Sequence, residues 1–326
     1  MRAVVYEKYG PADVLSVKER PRPVPRGNEV LIAVQATTVT SGDFRARSLT
    51  LPPGFGFLGR LVFGVFGPRQ PILGTELAGR VEAVGPKVTK FQVGDEVFAF
   101  PGAKMGGYAE YRCLPEDGPL ARKPGKLTFQ QAAALSFGGV TALNFLRRGK
   151  VKRGDKVLVN GASGGVGTAC VQIAKHFGAE VTGVCSTANA ELVRSIGADR
   201  VIDYTKEDFA SERGAYDVVV DTVGTAPWSR SAPALKDGGR LLLVLSGMGD
   251  MLRAPWVALT GSKRIIAGPV SARVEQLEYI ARLAEAGEYV PVIDRVYELE
   301  QTVEAHRYVD TGRKRGNVVV AVAHAA

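Results

Sequence analysis

Histidine and cysteine are scarce in this chain, with three of each among 326 residues. Cys113, Cys170 and Cys185 are odd in number and lie far apart in sequence, so they supply neither a CxxC-type zinc knuckle nor a disulfide framework. Each is expected to be a small buried hydrophobe. Missing too is any apolar run near the roughly 20 residues that a spanning helix needs. The start, "MRAVVYEKYG", has no continuous apolar segment and no small-residue cleavage site, so the expectation is a soluble cytoplasmic protein with reduced thiols and no membrane partner. Long blocks of like charge are also absent. The net charge of +9 is scattered, with "RKR" at 313–315 as the one short basic run, which argues against nucleic acid. An anionic small molecule accounts for the excess equally well.

The length predicts two domains. Over the first 120 or so residues, short β-type runs such as "EVLIAVQATTV" (29–39), "LAGRVEAVG" (77–85) and "DEVFAF" (95–100) alternate with turn signals, as in a compact, mostly β domain. From about residue 130 helical and strand patterns alternate, with strands expected at 156–160, 180–185, 217–221 and 240–245. That rhythm predicts an α/β fold, a doubly wound parallel sheet covered on both faces. One stretch fits neither texture. "LPPGFGFLGRLVFGVFGPRQP", residues 51–71, is apolar and aromatic yet rich in glycine and proline. It reads as an insertion that folds over a cleft and lines it, with a membrane-touching loop as the alternative.

The strand "KVLVN" runs into Ala162, Ser163, Gly164, Gly165, Val166 and Gly167, and the helix that follows has an apolar face carrying Val166, Cys170, Ile173 and Phe177. This is the setting of a dinucleotide site. Gly164 lets the backbone approach a pyrophosphate, Gly167 lets the helix pack on the strand, and the free amides at the helix start receive the negative charge. The pattern is AxGxxG, since Ala162 stands where the first glycine is usual. An NAD-binding unit ends its second strand on an acid that accepts hydrogen bonds from the ribose hydroxyls. Here Cys185, Ser186 and Thr187 end it instead. A carboxylate would repel a 2′-phosphate whereas hydroxyls and amides bind one, so NADP(H) is favoured over NAD(H).

With "GPADVL", "NEVLIAVQATTVTSGD", "ILGTELAGRVEAVG", "GGYAEY", "AAALSFGGVTAL", "NGASGGVGTACVQIAK", "GADRVIDY", "YDVVVDTVG" and "GRKRGNVVV" in view, the chain resembles the zinc-independent branch of the medium-chain dehydrogenase/reductase superfamily, the quinone oxidoreductase and enone reductase group. The resemblance covers essentially the whole length. It implies a Rossmann domain at 126–264 inserted in a GroES-like, mostly β domain made of 1–125 and 265–326. It also implies that Ser163 to Gly167 hold the pyrophosphate and that Ser186, Thr187 and Tyr204 surround the adenosine and its 2′-phosphate. Asn189 stands where related reductases often have a basic residue, and Arg313 is either a charge supplied from the C-terminal segment or a solvated surface arginine. Thr141, Val223, Leu245, Ser246 and Pro269 match positions that line the nicotinamide.

Zinc alcohol dehydrogenases of the same superfamily place a Cys in the segment matching "TVTSGD" and a His in that matching "LGTELAG"; this chain offers Thr40, Ser41 and Thr75 there, and Cys113 alone in the region of the four-cysteine lobe. No metal site is expected. Without a Lewis acid the remaining chemistry is hydride transfer to quinones or to the β-carbon of activated C=C bonds. The expected activity is therefore an NADPH-dependent reduction of a small apolar quinone or α,β-unsaturated carbonyl compound, with Thr40 and Asp43 near the carbonyl or a proton-relaying water. An NADPH-binding sensor or scaffold and a zinc-lacking biosynthetic dehydrogenase stay open. Resembling enzymes are dimers, and the strand "GGRLLLVLS" is expected at the sheet edge, pairing with its twin.

Overall fold

The computed structural model describes residues 1–324. β1 (Arg2–Tyr6) pairs antiparallel with β2 (Leu15–Glu19). The β-branched run at 29–39 forms β3 (Glu29–Val39), the centre of a larger sheet. After it come α1 (Ser41–Ser48), α2 (Gly56–Phe63), β4 (Leu77–Val84), β5 (Glu96–Ala99), β6 (Tyr111–Pro115), β7 (Leu120–Arg122) and α3 (Phe129–Ala133). β4 runs antiparallel along most of β3. Val30, Ile32, Val34, Leu77, Val81 and Val97 from these strands are buried together as one core.

The chain then enters a second compact unit. Its elements are α4 (Ser136–Arg148), β8 (Lys156–Asn160), α5 (Gly165–His176), β9 (Glu180–Cys185), α6 (Ala190–Ser195), β10 (Arg200–Asp203), β11 (Tyr216–Asp221), α7 (Trp228–Ser231), β12 (Leu235–Leu243), α8 (Met248–Thr260) and β13 (Arg264–Ile266). All six strands are parallel in the order β10-β9-β8-β11-β12-β13. The order reverses between β8 and β11, and open α/β sheets bind ligands at the carboxyl ends of such a pair. The run "GGRLLLVLS" therefore lies inside the sheet, as part of β12, because β13 adds outside it; β13 is the edge.

α9 (Val274–Glu285), β14 (Ile293–Glu298), α10 (Thr302–Asp310) and β15 (Asn317–Ala321) return to the first unit. β15 pairs antiparallel with residues 36–39 of β3, and β14 parallel with β15. The first unit thus comprises Met1–Leu51, Gly56–Phe137 and the chain from Ala272 onward; the second is Pro52–Phe55 with Gly138–Ser271. These divisions differ from 125/126 and 264/265 for physical reasons. α3 packs on β3 and β4, which holds residues 126–137 in the first unit, while β13 extends the parallel sheet. Cys170 and Cys185 are buried as expected, but Cys113 on β6 is only half-buried.

Candidate functional site

In the second unit, β8 ends at Asn160 and the chain turns through Gly161, whose φ of +80° belongs to the left-handed region. A side chain there would also strike Val223, at 2.5 Å. Gly167 is required by space: a Cβ would lie 2.0 Å from the Gly161 carbonyl oxygen. Gly164 is different. A Cβ on it would meet nothing nearer than 3.6 Å, so its bareness leaves room on the outer side of the turn. Gly165 is buried beside α4, where a Cβ on Gly138 would come 2.7 Å from the Gly165 oxygen.

Gly164 is the N-cap of α5 and offers no side-chain cap. The helical ladder begins with Thr168 N donating to Gly164 O at 2.8 Å, which leaves the amides of residues 165–167 without an intrahelical acceptor. These donors and the helix dipole form a site for an anion. Ser163 stands at its rim. Its hydroxyl accepts from Asn189 Nδ2 at 3.1 Å, so its own proton stays available. Asn189 thereby ties the end of β9 to the glycine turn.

Ser186 is half-buried and Thr187 exposed just past β9, and Tyr204, 61% exposed, lies next to them because its N–H donates to Cys185 O at 3.1 Å. The structure adds an acid to this group. Asp203 ends β10 directly opposite Cys185. Its carboxylate accepts from the hydroxyl of Thr187 and from the N–H and hydroxyl of Thr205 at 3.0 and 2.7 Å. Those bonds hold it well below the usual carboxylate range, so it is permanently charged. An acid thus stands one strand away from the end of β9, and the "VIDY" motif was the available signal.

Across the switch point, Asn160 Nδ2 donates to Asp221 Oδ1 at 3.0 Å and to Thr225 Oγ1 at 2.9 Å. Buried Asp221 also accepts from the amides of Val223, Gly224 and Ala226 at 3.2, 3.0 and 2.9 Å. The pair fixes the loop that presents Val223, which is exposed. Sequence reasoning missed both residues, although Asp221 ends an apolar strand where a carboxylate needs a reason. Leu245 and Ser246 follow β12 half-buried, Thr141 is buried on α4, and Pro269 follows β13 exposed, all within the second unit. Arg313 belongs to the first unit, exposed on the turn after α10.

The first unit holds Thr40 and Asp43. Thr40 caps α1: its Oγ1 accepts from Gly42 N and Asp43 N, each at 3.1 Å, and donates to Asp43 Oδ2 at 2.6 Å. Asp43 is fully buried and accepts in addition from Thr40 N at 2.9 Å, Gly74 N at 3.0 Å and Thr75 Oγ1 at 3.3 Å. The expectation that Asp43 faces a carbonyl or a relaying water needs correction, because every face of its carboxylate is engaged. It clamps the start of α1 to the segment before β4, and burial raises its pKa against these hydrogen bonds. Thr40 and Thr75 keep 3% and 5% exposure, their hydroxyls 3.1 Å apart.

Beside them lies an acid the sequence reading passed over. Glu76 is completely buried, accepting from Thr38 Oγ1 at 2.6 Å and Phe137 N at 2.5 Å, and burial pushes its carboxyl up to about 8. His306 serves the same scaffold. Buried Arg47 donates to its Nδ1 at 3.0 Å and pairs with Asp310, and the far nitrogen contacts Tyr108 OH at 3.2 Å. Burial and Arg47 hold its pKa well below the usual value, so the ring is neutral. A zinc ion does not fit the Thr40 cluster: the donors are two hydroxyls and two carboxyls already turned to protein partners.

Comparison with known proteins agrees with this geometry. The Alcohol dehydrogenase GroES-like domain family matches residues 26–125 and the Zinc-binding dehydrogenase family residues 196–320. The chain is 34% identical to 2-methylene-furan-3-one reductase of Solanum lycopersicum, over 98% of this chain and 79% of that one. It is 32% identical to the chloroplastic NADPH-dependent alkenal/one oxidoreductase of Arabidopsis thaliana, with coverage of 98% and 79%. Among solved structures, the quinone oxidoreductase from Coxiella burnetii superposes with a TM-score of 0.87 at 31% identity, over 99% of both chains. The chain is an oxidoreductase that belongs to the medium-chain dehydrogenase/reductase superfamily, in its quinone oxidoreductase and enone reductase group.

Proposed function

We propose that this enzyme uses NADPH to reduce quinones, or the activated C=C bond of α,β-unsaturated carbonyl compounds, without zinc. The observation that carries the reading is the uncapped start of α5 beneath the open side of Gly164, with the hydroxyl of Ser186 at the end of β9. The amides of residues 165–167 and the Ser163 proton receive the pyrophosphate, and Ser186, Thr187 and Tyr204 border the adenosine. When bound, the cofactor supplies a hydride. Val223, held by Asp221 and Asn160, stands with Thr141, Leu245, Ser246 and Pro269 at the positions that border the nicotinamide in the resemblance. In the first unit Asp43 positions rather than reacts, and it holds the protons of the Thr40 and Thr75 hydroxyls, so the proton that completes the reduction comes from a water.

The unpaired edge of β13, flanked on α8 by exposed Leu252, Trp256 and Leu259, supports a homodimer through this edge, tested by light scattering. The test of function is loss of NADPH absorbance against a panel of quinones, enals, enones and simple aldehydes, with metal analysis of the same sample. Turnover of simple aldehydes alone, or about one tightly bound zinc per chain, would overturn the reading. Titration of both cofactors, with Ser186→Asp beside the wild type, tests the phosphate claim. A charge-assisted hydrogen bond to the 2′-phosphate corresponds to about 1.5–3 kcal/mol, roughly one to two powers of ten in favour of NADPH.

A further inference from the structure

Hydride transfer makes no use of the ten residues from Phe57 to Phe66. In them α2 and the turn after it hold six large apolar side chains out in solvent: Phe57 is 75% exposed, Val62 59% and Phe66 fully, with Leu58, Leu61 and Val65 exposed beside them. The expected lining of a cleft is not what these side chains do. Their backbone is nevertheless firmly held. Gly59 is buried against Leu51, where a Cβ would come within 1.8 Å of a methyl group. Phe63 turns inward onto the core, Arg69 N donates to Phe63 O at 2.8 Å, and Tyr9 OH donates to Gly64 O at 2.9 Å. An apolar patch fixed in place and facing water marks an interaction surface.

The charge around the patch selects its partner. The whole stretch 51–71 contains no acidic residue and two arginines, Arg60 and Arg69, both close enough to act on the Tyr9 phenol. Exposed Lys8 follows Glu7 in sequence, and exposed Lys104 is linked to Gln70 through its carbonyl at 3.3 Å. Glu7 approaches Gly67 through its backbone oxygen, but its carboxylate is paired with Lys18 at 2.7 Å. The rim is therefore basic. A second copy would set like charges against each other, whereas the surface of an anionic bilayer satisfies the apolar side chains and the arginines together.

We propose that α2 and the turn through Phe66 dock the protein on the surface of an anionic lipid bilayer. No helix among the described residues is long and apolar enough to cross a membrane, so the contact is peripheral. The proposal stands apart from the cofactor and substrate reading. Should that reading also hold, the surface brings the enzyme to the phase in which apolar quinones concentrate.

Flotation of the intact protein with vesicles of phosphatidylcholine, alone or mixed with phosphatidylglycerol, tests it. Binding is expected to the mixed vesicles and to weaken with salt. Phe57→Ser with Phe66→Ser lowers the partition coefficient at least about tenfold, and Arg60→Gln or Arg69→Gln about fivefold each. Val24→Ser with Val93→Ser, exposed apolar positions elsewhere on the first unit, leaves it unchanged. These positions are exposed, so unchanged thermal melting is expected and certifies the fold. Three results overturn the proposal: no binding to mixed vesicles at low salt, equal binding by wild type and the double phenylalanine variant, or a variant that loses only its dimer or only its affinity for soluble quinone.

Discussion

The glycine turn of the second unit and the Thr40 cluster of the first are built by opposite means. The turn works by what its residues leave out. Gly161 needs a left-handed φ, Gly167 has a carbonyl oxygen where a Cβ would go, and Gly164 leaves open space. The cluster works by saturation: Asp43 gathers the Thr40 N–H and hydroxyl, the Gly74 N–H and the Thr75 hydroxyl around one buried carboxylate. A site meant to receive an anion keeps donors unpaired, whereas a strut pairs them all.

The contrast breaks first at Asp43. Asp43→Ala strands four buried donors, with an expected loss of about 4 kcal/mol, measured by chemical denaturation. A loss below about 1 kcal/mol would show that water replaces the carboxylate and that the cluster is open rather than saturated. Inside the turn the prediction divides. Gly167→Ala forces a methyl into the Gly161 carbonyl and is expected to cost about 3 kcal/mol, whereas Gly164→Ala keeps the melting temperature and weakens NADPH binding about tenfold or more. Calorimetry with a cofactor titration on both variants separates packing from binding. Equal melting of the two would remove the distinction between the glycines.

Glu76 sharpens the comparison through pH. Its carboxyl lies at about 8 in the folded protein against an ordinary 4.5, so the folded state favours the protonated form. The stability from that preference is complete below about 4.5, declines as pH rises through the window and is gone above about 8. Glu76→Gln keeps a neutral side chain between Thr38 and the Phe137 amide and removes this decline. The variant is therefore expected to gain on the wild type by several kcal/mol between acid and mildly alkaline pH, about 1.4 kcal/mol per pH unit of the window, read from unfolding curves across it. Parallel curves for the two proteins would mean that Glu76 is ionised where it lies.

What the sequence made legible follows the same division. Backbone requirements are local, so "NGASGGVGTACVQIAK" shows the strand, turn and helix, and β8 and β9 fall where expected. Asp43 reads ambiguously because its partners Gly74 and Thr75 come from another segment, and no local pattern distinguishes a buried cap from a catalytic acid. The edge strand was misplaced for a related reason. The three residues of β13 carry too little pattern to announce a strand, yet they convert β12 from edge to interior. The stretch 51–71 was legible as apolar, but whether apolar side chains point in or out depends on what they meet.

The smallest effect lies where the two means of construction touch. Asp203 is a saturated carboxylate set beside a site meant to stay open: Thr187 spends its hydroxyl on Asp203, and the carboxylate's charge reaches the Cys185 thiol, already pushed up to about 11 by burial. If the 2′-phosphate rests against Ser186 and Tyr204, a permanent negative charge one strand away opposes it, and the preference for NADPH is less than the hydroxyls alone would give. Asp203→Asn keeps acceptors for Thr205 and removes the charge. At the effective dielectric of a protein surface that repulsion amounts to about 1 kcal/mol, so NADPH should tighten about fivefold while NADH changes little. The gain should shrink as salt screens the charge. Fluorescence titrations of both cofactors at low and high salt measure it. An unchanged ratio of affinities would place the phosphate away from the end of β9, and the absence of an acid on that strand would then carry no information about the cofactor.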